Sequence, residues 1–186
     1  MIGLWIALGV VVLLALIVAG MYNGLVVLRK QVDNAWAQID VQLKRRHDLI
    51  PNLVETVKGY AGHEKTLLEN VTKARARAMD ARSQGPGEQI QAETALGGAL
   101  RGLMVQMEAY PDLKANQNFL ALQEELSSTE NKISFARQHY NDITTNYNTS
   151  TELFPRNIIA GMFGFTPRKL WEIEDAAERQ APQVKF

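Results

Sequence analysis

The stretch Val26–Tyr60, VVLRKQVDNAWAQIDVQLKRRHDLIPNLVETVKGY, decides the fold. Its apolar or small side chains fall at Leu28, Val32, Ala35/Trp36, Ile39, Leu43, Ile50, Leu53/Val54, Val57 and Tyr60. Steps of three and four keep side chains on one face of a helix, so this is a helix that buries a stripe. The stripe is interrupted once, by Arg45-Arg46-His47-Asp48, which puts charge where apolar contact is expected.

Directly upstream, Ile2 to Met21 carries no charge and is about the twenty residues needed to cross ~30 Å of hydrocarbon. A cleaved signal would have a basic start, a shorter apolar core and a small-residue cleavage site. No Lys or Arg precedes this run, and without cysteine there is no lipobox. Residues 1–22 are therefore expected to be a retained transmembrane anchor, single-pass and N-terminal. The first basic residues, Arg29, Lys30, Lys44, Arg45 and Arg46, follow it, so the positive-inside rule places the body in the cytoplasm. Gly20 and Gly24 form a GxxxG at the membrane exit, read either as two incidental glycines or as a close-packing face for another helix.

Composition narrows the function classes. Lys+Arg and Asp+Glu are both 20, so there is no excess positive charge to track phosphates, and no nucleic-acid partner is expected. The absence of cysteine excludes disulfides, thiolate nucleophiles and cysteine-ligated metals. With 186 residues the chain can bury one core of ordinary size.

Downstream, Pro51 predicts a kink at Asp48–Pro51, because an internal proline removes a helix hydrogen bond. Glu64 to Arg82 reads as a second helix with Leu67, Val71, Ala74 and Ala78 on one face, and Ser83–Gly87 as a break. Glu88 to Met107 reads as a third, striped by Leu96, Leu100, Leu103 and Met107; its Gly97, Gly98 and Gly102 suggest close approach of a neighbour. After a turn at Tyr110-Pro111-Asp112, Leu113 to Tyr147 reads as a fourth. There Phe119, Leu122, Leu126, Thr129, Ile133, Ala136, Tyr140, Ile143 and Tyr147 repeat as in a coiled-coil seam.

No stretch alternates with a period of two, so the fold class is all-α. The transmembrane helix is expected to continue into an antiparallel up-down four-helix bundle over 23–150. Its first and fourth helices are long, about 35 residues or roughly 50 Å, and its second and third short, about 20 residues or roughly 30 Å. Near the membrane the two long helices then stand alone with Leu28, Val32, Trp36, Tyr140, Ile143 and Tyr147. Two helices cannot enclose that much apolar surface; the C-terminal segment, lipid headgroups or the same region of another copy must cover it.

Residues 151–186 are expected to form a membrane-proximal segment with a short apolar helix. Ile158, Ile159, Phe163 and Phe165 within it either pack on the long helices or dip into the headgroups. Arg168, Lys169 and Trp171 make a basic-aromatic cluster suited to that boundary.

Two cross-helix pairs follow from the helix ruler, Arg46 with Glu130 and Arg137 with Asp40. They read as structural pairs that fix register, with an anion site inside the bundle as the alternative. Enzyme motifs do not emerge. The residues three before His47, His63 and His139 are Lys44, Tyr60 and Ala136, so no Glu-x-x-His di-iron ligand set exists. His63-Glu64 is not followed by the second histidine of HExxH, and there is no GxSxG, P-loop or dinucleotide glycine fingerprint. No catalytic residue, metal or cofactor is expected. Tyr22-Asn23, Tyr140-Asn141 and Tyr147-Asn148 cluster Tyr-Asn pairs near the membrane, as boundary anchors or as an interhelical hydrogen-bond ladder.

One set of motifs resembles a known family. The anchor is followed by Tyr22-Asn23-x-Leu25-Val26 and Ala35-Trp36-x-x-Ile39-Asp40-Val41-Gln42-Leu43-Lys44-Arg45-Arg46-x-Asp48-Leu49-Ile50-Pro51-Asn52-Leu53-Val54. Further on come Tyr110-Pro111-Asp112-Leu113-Lys114-Ala115-Asn116, Leu122-Gln123-x-Glu125-Leu126-x-x-Thr129-Glu130, Ala136-Arg137-x-x-Tyr140-Asn141, Tyr147-Asn148 and Phe154-Pro155. This resembles the LemA family over nearly the whole chain. The resemblance implies a bacterial single-pass protein of the inner membrane with an all-α bundle, associated with membrane stress and with HtpX-type membrane metalloproteases; it implies no agreed activity.

The expected function is a non-enzymatic scaffold in the lipid bilayer that forms a homo-oligomer and organises membrane or partner proteins. An accessory subunit that presents Tyr60, His63 and Tyr110 to a membrane protease is the alternative.

Overall fold

Nothing between Ile2 and Lys58 stops a helix: glycines are isolated, and the one proline lacks the companion glycines that make a turn. In the computed structural model, which describes residues 1–60 and 65–171, α1 accordingly runs Ile2–Lys58 with Pro51 inside it. The helix continues on both sides of the proline. Then follow α2 (Lys65–Ala81), α3 (Pro86–Met107), α4 (Pro111–Lys114), α5 (Gln117–Glu152) and α6 (Arg156–Phe163). Every element among the described residues is helical. His63 and Glu64 lie outside the described residues.

Local chemistry sets the boundaries. α3 starts two residues earlier than its stripe suggests, because Pro86 occupies the first turn, where its missing N–H is no loss. Gly85 before it adopts φ 108°, a conformation that side chains disfavour. The Tyr110-Pro111-Asp112 turn is itself one turn of helix, and Leu113 belongs to it rather than to α5. α5 begins instead at Gln117, where the Asn116 side chain accepts from the N–H of Asn118 and Phe119 at 2.9 and 3.1 Å. α6 ends on Gly164 at φ 69°, and the Phe165 N–H donates to the Ala160 carbonyl at 2.9 Å.

The described residues divide into two compact units. One contains Met1–Ile39 and Phe135–Leu170; the other contains Asp40–Ser134 and Trp171. In the second unit α1, α2, α3, α4 and α5 all feed one core. Ile50, Leu53 and Val57 meet Leu68, Val71 and Ala78, then Leu96, Leu103 and Met107, Leu113, and Phe119 with Leu126. The glycines of α3 do not serve close approach. A Cβ at Gly98 or Gly102 would meet nothing within 4 Å, and one at Gly97 only Arg46 Nη1 at 3.7 Å.

In the first unit, residues 2–20 of α1 are exposed throughout, and one window of that helix is long and apolar enough to cross a membrane. Beyond it Leu25, Val32 and Ala35 are buried, as are Tyr140, Thr144 and Tyr147 of α5 and Ile159, Ala160 and Phe165 from α6 and its exit. Aromatic rings join these pieces edge to face: Tyr22 with Phe163 and Phe165 at 4.9 and 5.6 Å between centroids, and Trp36 with Tyr140 at 5.2 Å.

Candidate functional site

The interruption of the α1 stripe becomes a buried ionic cluster in the second unit. Leu43, Arg46, Ile50, Leu53 and Val57 share one buried face, so Arg46 enters the core by helical register alone, and it is 3% exposed. A lone guanidinium there would be costly, and the structure surrounds it with acceptors. Its Nη1 donates to Glu130 Oε2 at 2.9 Å, and its Nη2 donates to Glu93 Oε2 at 2.5 Å and to the Glu93 carbonyl at 3.2 Å. The Glu93 side chain is 1% exposed, whereas that of Glu130 is 52% exposed. Glu93 Oε1 lies 2.9 Å from His47 Nε2, close but off the line of a hydrogen bond.

Further polar links surround this cluster. The His47 carbonyl accepts from Arg75 Nε of α2 at 2.7 Å. Arg45 pairs with Glu125 at the surface. Asp40 accepts from Arg82 of α2 and from Gln89 Nε2 of α3 at 3.5 Å; Arg137 lies in the first unit. A cleft of about 140 Å³ beside the cluster is lined by Asp40, Lys44, His47, Asp48, Arg82 and Glu93. Its charges are of both signs, so it selects neither an anion nor a cation.

Arg46 donates to two carboxylates and a carbonyl and has no lone pair to offer. Among the described residues no group of three or more His, Asp or Glu is placed to hold a metal. Sequence reasoning singled out Arg46 and Glu130 but not Glu93, although the signal was present. Glu93, Leu96, Leu100, Leu103 and Met107 step by three and four, which puts a carboxylate in the α3 stripe just as Arg46 stands in that of α1.

The first unit holds the remaining residues singled out from sequence. Val32, Tyr140 and Tyr147 are buried, and Leu28, Trp36 and Ile143 half-buried. The chain's own 166–169 stretch lies over the tyrosines. Tyr140 Oη donates to the Lys169 carbonyl at 2.8 Å, and Tyr147 Oη to the Thr166 carbonyl at 3.0 Å. Asn148 makes a reciprocal pair with the Arg168 backbone, both bonds at 2.8 Å. Tyr147-Asn148 thus engages the backbone after α6. Sequence could place both tyrosines on one face but carried no sign of what they would bond. A Cβ at Gly20 or Gly24 would meet nothing within 4 Å. Ile159 and Phe165 are buried, and Ile158 and Phe163 exposed; Trp171, which belongs to the second unit, is buried.

Burial pushes both phenols above the ordinary tyrosine value of about 10; Thr144 and Arg168 beside Tyr140, and Arg168 and Arg29 beside Tyr147, offset this only in part. A raised folded value means that the neutral phenols stabilise the fold fully below the unfolded value, and that this contribution is lost as pH rises through the folded value. Tyrosinate absorbance is therefore expected to rise in two stages, with Tyr140 and Tyr147 last and accompanied by loss of structure. Removal of the late stage in the Tyr140→Phe, Tyr147→Phe double variant is the check.

The features together define an all-helical protein with an N-terminal helix suited to span a membrane and a core crossed by a buried ionic cluster. A sequence model of the LemA family matches residues 35–186, and the chain belongs to that family. It is 29% identical to Protein LemA of Metamycoplasma hominis, over 76% of this chain and 64% of the relative. It is 23% identical to magnetosome protein MamQ 2 of Paramagnetospirillum magneticum, over 84% of this chain and 66% of the relative. The figures for magnetosome protein MamQ of Magnetospirillum gryphiswaldense are 23%, 77% and 62%. In each case the chain spans slightly under two thirds of the relative's own length.

Proposed function

We propose that this chain is a non-enzymatic, membrane-anchored helical scaffold. The observation that carries the reading is the uncharged Ile2–Met21 run, which is exposed over residues 2–20 and is long enough for a bilayer. In this reading residues 1–22 are a single-pass anchor in an inner membrane with the body on the cytoplasmic side. The α1, α2, α3 and α5 segments form an up-down four-helix bundle, supported by the core those helices share in the second unit.

The ionic cluster then serves the scaffold by fixing how these helices are rotated against each other, the best-attested use of buried charge. The names of the MamQ relatives give an association, the magnetosome, rather than a reaction. Self-association is part of the proposal. Since Tyr140 and Tyr147 bond the chain's own backbone, a second copy would meet the half-buried Leu28, Trp36 and Ile143.

The test is the mass of the full-length protein extracted in mild detergent. An assembly of several chains is expected, reduced to single chains by the Leu28→Asn, Ile143→Asn double variant. A wild-type protein that runs as one chain at all concentrations would sink the scaffold reading and favour the adaptor, in which changes at Tyr60 or Tyr110 matter instead.

A further inference from the structure

The turn after α5 and the helix α6 leave an apolar row largely exposed. α6 reads RNIIAGMF, with Arg156 as its single charge. Ile159 and Ala160 face inward, while Ile158, Met162 and Phe163 face outward with Phe154 of the preceding turn; Phe154 is 79% and Met162 72% exposed. Four large apolar side chains on about ten residues is more than a water-facing turn ordinarily shows.

The position of this row identifies what covers it. The Phe163 ring lies 4.9 Å from Tyr22, the residue next after the uncharged run, so α6 stands where the anchor ends. The neighbouring cations are arranged as at a headgroup layer: Arg29 sits over the Phe165 ring at 4.8 Å, and Arg168 and Lys169 follow on the irregular segment after α6. Hydrogen bonds from Tyr140, Tyr147 and Asn148 to residues 166–169 hold that segment, so α6 cannot swing away without breaking them.

We infer that α6 is an interfacial foot: Phe154, Ile158, Met162 and Phe163 lie in the headgroup–acyl boundary of the bilayer that holds the anchor. The occupant of the row is lipid. A helix lying in the membrane plane at this depth needs one apolar face and flanking cations, and α6 has both. This rests on Ile2–Met21 being a bilayer span. It adds a second contact that fixes the rotation of the first unit on the membrane, which a single spanning helix leaves free.

The chain has no cysteine, so single cysteines can be labelled in the otherwise intact full-length protein. Spin-labelled Phe154→Cys, Ile158→Cys and Met162→Cys would be reconstituted in vesicles of phosphatidylethanolamine and phosphatidylglycerol. Collision with oxygen, which concentrates in lipid, is then compared with collision with a water-soluble nickel chelate. Val105→Cys on the exposed side of α3 and Leu13→Cys in the anchor are the references.

The expected result is an oxygen-to-nickel ratio at 154, 158 and 162 several-fold above that at 105 and below that at 13. A ratio at these positions equal to that at 105 would place the row in water and overturn the foot. Shielding from both reagents would mean a protein, such as a second copy, covers it, and would overturn the lipid assignment. Nickel access at 13 would instead refute the span on which the inference rests. Because all three test positions are exposed, a loss of helix in one variant leaves the other two to decide.

Discussion

Replacing Arg46 with methionine is expected to destabilise the protein by about 3–5 kcal/mol, the usual cost of leaving one member of a buried ion pair without its partner. Glu93 would then sit 1% exposed with its carboxylate facing only His47. Glu93→Gln should also destabilise, though less, since an amide still offers Arg46 an acceptor. Glu130→Gln should cost under about 1 kcal/mol, because that carboxylate is half in water, where exposed pairs contribute little. Joint replacement, Arg46→Met with Glu93→Leu, should recover most of the loss, as apolar substitution of a whole buried pair often does. Guanidinium unfolding of the four variants in detergent measures all of this. Equal costs at Glu93 and Glu130 would mean that Arg46 leans on the exposed partner, and the cluster as described would be wrong.

Leu103→Ala should lose about 2–5 kcal/mol, the range for a fully buried leucine whose surroundings cannot collapse onto the cavity. Leu103 is 0% exposed in the core joining α1, α2, α3 and α5. Two residues on, Val105 is 68% exposed, and Val105→Ala should stay within about 0.5 kcal/mol. This contrast reads the rotation of α3. If Val105 proved the costlier site, α3 would be turned by roughly 200° from its described register, since each residue advances the helix by about 100°, and Glu93 would leave the core with it.

Much of the architecture was legible in the chain. Steps of three and four mark helices wherever a stripe must be buried, and Gly-Pro clusters mark where they end. The differences are local. Pro86 opens α3 rather than belonging to the break, because proline suits a first turn, and Leu113 precedes α5, because Asn116 caps that helix from beyond it. The α3 glycines suggest contact points, but nothing approaches Gly98 or Gly102.

Period and composition, which are properties of neighbours along the chain, determined that this protein is helical and begins with a segment a bilayer can accept. They also revealed which residues each helix turns inward, Glu93 among them for a reader who trusts the period over the charge. Only the tertiary structure decided who meets whom: that Glu93 closes on Arg46 and His47, and that Tyr140 and Tyr147 bond the backbone after α6. The reason is that a helical period reports a direction around one axis. The partner found in that direction depends on the placement of a second axis, and that is settled by burial and charge neutralisation summed over several helices at once.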